Sequence, residues 1–108
     1  MEVNILNGGI YYSSVGCSWY NNSNAVTTKA NILAPKTGTV TLYCNVICMN
    51  IYKDMQGTLS GFNGQINETV GNCILIREVN VTENTNYELS ITVQKGYISS
   101  ISFVMIYS

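Results

Sequence analysis

The 108-residue sequence predicts an all-β protein, a single domain built as an antiparallel β-sandwich or small barrel. Three observations predict it. Apolar and polar residues alternate with period two, most cleanly in residues 85–94, where Tyr87, Leu89, Ile91 and Val93 share one face and Glu88, Ser90, Thr92 and Gln94 the other. Clusters rich in Gly, Asn and Ser punctuate the chain roughly every 8–12 residues, the rhythm of short antiparallel strands. No stretch combines a helix cap with a sustained 3.6-residue apolar period.

The elements follow in chain order. Residues 3–6 and 9–13 read as short strands flanking the Asn7-Gly8-Gly9 turn, and residues 20–24 as an Asn-rich surface loop. A strand at residues 27–33 runs into Ala34-Pro35. Residues 39–49 then form a long β run, with Val40, Leu42, Cys44, Val46 and Cys48 on one face and Thr41, Tyr43, Asn45, Ile47 and Met49 on the other. Short strands at residues 58–60 and 65–68 surround a glycine-bearing turn, and residues 71–81 set Cys73 and Leu75 opposite Ile74 and Ile76. After the 85–94 strand, Lys95-Gly96-Tyr97 is a turn and residues 101–107 are the last strand. Ile101, Phe103, Met105 and Tyr107 there alternate with Ser102, Val104 and Ile106, so both faces are apolar near the end. A strand of that kind is central in a sheet or lies against another subunit. Neither a linker nor an internal repeat divides the chain, so residues 1–108 are expected to form one domain.

Composition narrows the function. Hydrophobic residues make up 46% of the chain and charged residues only 10%, against the roughly 25% charged fraction usual for soluble proteins. A surface of Asn, Ser, Thr and Gln repels neighbours weakly and suits a subunit packed against others. The basic residues Lys29, Lys36, Lys53, Arg77 and Lys95 are scattered, which gives no stripe for a phosphate backbone, so nucleic acid is not an expected partner. Apolar runs are too short for a bilayer helix, so no membrane partner is expected. The N-terminal MEVNILNGG lacks the charged and apolar regions of a secretory signal. Either the chain is used without export or its signal has been removed.

The residues of catalysis are missing. With no His in the chain, Ser-His and Cys-His nucleophile pairs are excluded. The carboxylates Glu2, Asp54, Glu68, Glu78, Glu83 and Glu88 read as solvated surface groups rather than as a dyad. No catalytic residue, metal site or cofactor is expected, and the chain is read as not an enzyme. Cys44 and Cys48 share a strand face about 13 Å apart, beyond disulfide reach. Without His or a Cys-x-x-Cys pair, the cysteines read as small buried hydrophobes or half-exposed thiols, though pairing of Cys17 with Cys73 stays open. Asn-x-Ser/Thr sequons at Asn21, Asn67 and Asn80 read as chance in an Asn- and Thr-rich chain. Tyr11, Tyr12, Trp19 and Tyr20 cluster near the N-terminus, where they serve core or interface packing or stack on sugar rings.

The stretch NILAPKTGTVTLYCNV carries a family resemblance. Ala34-Pro35 followed by Gly38 and a long alternating strand resembles the Ala-Pro-x-x-Gly corner of tumour-necrosis-factor-like and complement-type jelly rolls. The same corner is common in trimeric heads of bacteriophage fibres and decoration proteins. The YELSITVQKGYISSISFVMIYS end repeats the strand, polar-glycine turn and final strand of such domains. Together the two stretches span residues 27–50 and 85–108. Physics agrees at the corner: Pro35 cannot donate to a ladder and belongs at a strand end, and Gly38 is expected to supply the free φ for reversal. The aromatic that usually follows the corner glycine is absent, with Val40 and Leu42 in its strand, which leans towards the viral versions. The resemblance implies a jelly-roll sandwich of about eight strands. It further implies a homotrimeric virion structural protein, a capsid decoration or head- or tail-fibre subunit of a bacteriophage, made in the host cytoplasm and joined to other virion proteins. Ile101, Phe103, Val104, Met105, Ile106 and Tyr107 are the expected oligomer interface. The alternative is a receptor-binding, lectin-like module that holds a host surface glycan on Tyr11, Tyr12, Trp19 and Tyr20.

Overall fold

Period-two patterning becomes two facing antiparallel sheets in the computed structural model, which describes residues 10–12, 16–18, 25–49, 56–94 and 98–108. The first sheet contains β1 (Ile10–Tyr12), β2 (Gly16–Ser18), β4 (Gly38–Met49), β7 (Cys73–Val81) and β9 (Ile98–Tyr107). The second contains β3 (Ala25–Leu33), β5 (Gly57–Gly61), β6 (Ile66–Val70) and β8 (Asn86–Gln94). The first sheet runs β1-β9-β4-β7 with β2 also on β9, and the second runs β3-β8-β5-β6. The chain changes sheet after β2, β3, β4, β6, β7 and β8, which is the interleaved Greek-key order of a jelly roll. Because β1 pairs with β9 at Val104–Ile106 and β2 pairs with it at Ser99–Ile101, the two share one edge position, and the sandwich has about eight strand positions.

Alternation sets the core. Val40, Leu42, Cys44, Val46 and Cys48 point inward from β4, and Leu89, Ile91 and Val93 meet them from β8. The β5–β6 hairpin adds Leu59, Phe62 and Ile66. Phe62 stacks on Tyr87 at 5.2 Å between ring centroids and meets Phe103 edge-on at 5.5 Å, joining the sheets. A buried hydroxyl pair, Thr28 Oγ1 to Ser99 Oγ at 2.9 Å, ties β3 to β9 across the same interior.

Pro35 lies between the end of β3 at Leu33 and the start of β4 at Gly38. Three sets of hydrogen bonds hold that corner. Ala34 N–H donates to Thr85 O at 2.9 Å and Asn84 N–H donates to Ala34 O at 2.8 Å. Glu83 N–H donates to Thr37 Oγ1. Tyr107, at the end of β9, donates its phenol to Lys36 O at 2.6 Å. One expectation fails here. Gly38 is not among the residues of positive φ, and a Cβ there would make ordinary contact with the Tyr107 ring at 3.4 Å. The reversal is made by Pro35 and this docking, not by a left-handed glycine.

The turns differ from expectation in detail. The hairpin at Phe62, Asn63 and Gly64 holds successive positive φ values of 51°, 54° and 85°. Gly61 before it is obligatory, because a Cβ would overlap Glu88 O of β8. The last strand starts at Ile98 rather than at residue 101, and β2 appears where no strand was expected. The expected strand at residues 3–6, the 20–24 loop and the 95–97 turn lie outside the described residues.

Both open edges on the β6–β7 side are closed by side chains. Arg77 points inward from β7 and makes a bidentate pair with Glu68 of β6, Nε to Oε2 at 2.7 Å and Nη2 to Oε1 at 2.6 Å. Glu68, expected to be a solvated surface group, is therefore engaged across the sheets, and the Arg77 hydrogen bonds hold its carboxyl below the usual range. The Gln65 amide accepts from Asn80 N–H and donates to Asn80 O, so one side chain occupies the strand edge where a neighbouring chain would pair.

Candidate functional site

The inward halves of β4, β7 and β9 fill the core, which leaves their outward halves to define the surface of the first sheet. Tyr43 and Ile47 from β4 and Ile74 and Ile76 from β7 are exposed there, Ile74 by 75% and Ile76 by 54%. Register aligns only part of this set, because the exposed Asn45 stands opposite Ile74 and Ser102, and Ile47 stands opposite Ser100. Tyr43 stands opposite Ile76 on one side and Val104 on the other, and Thr41 stands opposite Glu78 and Ile106. Val104 and Ile106 are half-buried on this same face. Three strands at about 4.8 Å spacing and six residues of β4 at about 3.4 Å rise make an apolar patch of roughly 200 Å² in projection. Glu78 is the single charge at the described outward positions of β4, β7 and β9.

The six expected interface residues separate by parity. Ile101, Phe103, Met105 and Tyr107 are each at most 4% exposed in the inter-sheet core, where this chain's own side chains surround them. Their large side chains are consumed by folding and cannot reach a second subunit. Val104 and Ile106 alone of the six face outward. The residues that sequence reasoning did not assign to the surface, Tyr43, Ile47, Ile74 and Ile76, carried a signal nonetheless: residues 39–49 and 71–81 are apolar on both faces, and only one face can point into a two-layer core.

Tyr11 and Tyr12 run in β1, where their backbones pair with Met105 and Val104. Trp19 and Tyr20 lie outside the described residues. The four aromatics are therefore not brought together as a described site.

The outer face of the second sheet has the opposite character. Thr27, Thr92, Thr58 and Thr69 fall in one cross-strand row, with Thr27 Oγ1 and Thr92 Oγ1 2.8 Å apart. Beside it, Lys29, Ser90, Ser60 and Asn67 form the next row. Lys29 Nζ lies 3.6 Å from Glu88 Oε1.

The thiols are quiet. Burial pushes the Cys44 thiol up to about 12 and that of Cys48 up to about 11. Cys17 pairs with Ser100 on β9, whereas Cys73 pairs with Val46 on β4 and lies on the far side of it. Three strand spacings, about 14 Å, separate the two backbones, too far for a disulfide. Among the described residues, no group of three or more His, Cys, Asp or Glu side chains is placed to hold a metal ion.

Neither protein-family models nor characterised proteins gave a match to this chain.

Proposed function

We propose that this chain is a non-enzymatic structural subunit that associates with copies of itself through the outer face of its first sheet. The apolar face of Tyr43, Ile47, Ile74, Ile76, Val104 and Ile106 carries the reading. A face with one charge, repeated on identical copies around a threefold axis, can meet the flank of the next copy without any matched pattern of opposite charges. Its roughly 200 Å², with Asn45 and Ser102 set among the apolar residues, supplies the centre of an interface that typically buries about 800 Å² per partner. The low charge of the whole chain supports the same reading.

The Ala34-Pro35 corner resemblance extends the proposal to a homotrimer in a bacteriophage virion, as a capsid decoration or fibre subunit made in the host cytoplasm and bound to other virion proteins. The jelly-roll strand order, the fold that resemblance implies, supports this extension.

Native mass spectrometry and light scattering at micromolar concentration test the association. The unmodified chain is expected to be a trimer, and Ile76→Asp is expected to weaken assembly by roughly 30- to 150-fold, from about 2–3 kcal/mol of lost burial. A stable monomer before substitution would remove the proposal.

A further inference from the structure

The β5–β6 hairpin and the start of β8 enclose an open groove of about 540 Å³ on the outer face of the second sheet, a volume within the range of small-molecule sites. Its lining mixes hydrogen-bonding side chains with glycine backbone and apolar carbon from Phe62 and Ile66. The amides of Asn63, Asn67 and Asn86, the carboxylate of Glu88 and the hydroxyls of Thr58 and Ser60 all line it. Three amides and two hydroxyls can both donate and accept, and the carboxylate accepts. That mixture suits vicinal hydroxyls, which both donate and accept. Among the described residues Glu88 is the one charged group lining the groove, and it faces Lys29 at 3.6 Å, so these residues offer no net positive charge to a phosphate or a sialic acid.

The groove is also stiff. Its turn is anchored from beneath, because Phe62 sends its ring into the core against Tyr87 and Phe103 while its N–H donates to Glu88 O at 3.0 Å. Gln65 Nε2 bonds Phe62 O at 3.0 Å and braces the far side. Gly61 sits so close to β8 that any Cβ there would overlap Glu88 O, which fixes the hairpin against that strand. A wall that does not need to order on binding loses little conformational entropy.

We infer that this groove is a binding site for a neutral oligosaccharide, on Ser60, Asn63, Asn67, Asn86 and Glu88. It faces away from the first sheet, so it does not depend on self-association. The assay is a ¹H–¹⁵N NMR titration with lactose, maltose, cellobiose and chitobiose at millimolar concentration, with 3′-sialyllactose as the charged comparison. At least one neutral sugar is expected to give saturable shifts at residues 58–67 and 86–88. Asn67→Ala, an exposed change that leaves the core untouched, is expected to weaken binding about tenfold, the worth of one lost hydrogen bond. Ser60→Trp, which fills the groove from the outward face of β5, is expected to abolish it while spectral dispersion shows the fold intact. The Ile76→Asp chain is expected to bind as the unmodified one does, which separates failure of this site from failure of the association face. Absence of saturable shifts with all four neutral sugars, unchanged binding in Ser60→Trp, or equal or tighter binding of sialyllactose would overturn the assignment.

Discussion

Phe62→Ala is expected to cost about 4 kcal/mol of stability, from the usual 3–5 kcal/mol for removing a buried Phe. The ring is 1% exposed although its residue belongs to a tight turn. It stacks on Tyr87 at 11° and meets Phe103 at 75°, and each such ring pair adds about 0.5–1.5 kcal/mol to simple burial. The backbone offers no refund. Phe62 holds φ at 51°, and alanine bears the same left-handed penalty. With a urea m-value of about 1.5 kcal/mol/M, the unfolding midpoint followed by circular dichroism falls by roughly 2–3 M. That is a large share of the ~5–15 kcal/mol typical of a domain. The position also inverts the ordinary order of alanine and glycine: Phe62→Gly is expected to be about 1 kcal/mol more stable than Phe62→Ala, because glycine has no Cβ to strain at positive φ. A loss below about 1 kcal/mol for Phe62→Ala, with glycine no better than alanine, would show that the hairpin does not insert its ring into the core.

Tyr107→Phe removes the phenol that bonds Lys36 O, and is expected to lower stability by about 1 kcal/mol in chemical denaturation with the strand order unchanged. Glu68 has a depressed folded pKa, so its contribution to stability is present above the unfolded carboxylate pKa and lost as pH falls through the folded one. Glu68→Gln is expected to flatten that acid-side loss, measured as thermal midpoints across the acid range, and an unchanged pH profile would contradict the Arg77 pairing. Cys44 and Cys48 are expected to resist iodoacetamide in the folded protein near neutral pH and to react once urea unfolds it. Peptide mapping that finds either one alkylated in the native state would refute their burial.

Strand content was legible because a strand exposes alternate faces, and that constraint acts residue by residue. The inward set of β4 and the clean amphipathic β8 followed from it directly. The Pro35 corner was legible too, since a missing N–H ends a ladder wherever it falls. The role given to Gly38 was not, because free φ at a glycine is a permission and not a requirement. The carboxylates looked alike in sequence, yet Glu68 crosses between sheets to Arg77, a meeting that depends on β6 and β7 lying at the same open side.

The candidate sites show where local reading stops. Ile101, Phe103, Met105 and Tyr107 were assigned to an interface together with Val104 and Ile106, because a strand apolar on both faces does not say which face meets the chain's own second sheet. The polar groove was invisible for a related reason. Asn67 reads as a chance sequon and Glu88 as a solvated carboxylate until β5, β6 and β8 pair and bring them with Ser60 to one groove. By itself the sequence determined that the chain forms strands, where those strands break and which residues alternate, since these are properties of neighbours along the backbone. Tertiary structure alone decided which face became core and which surfaces became an apolar patch and a polar groove, because long-range pairing between strands brings those residues together.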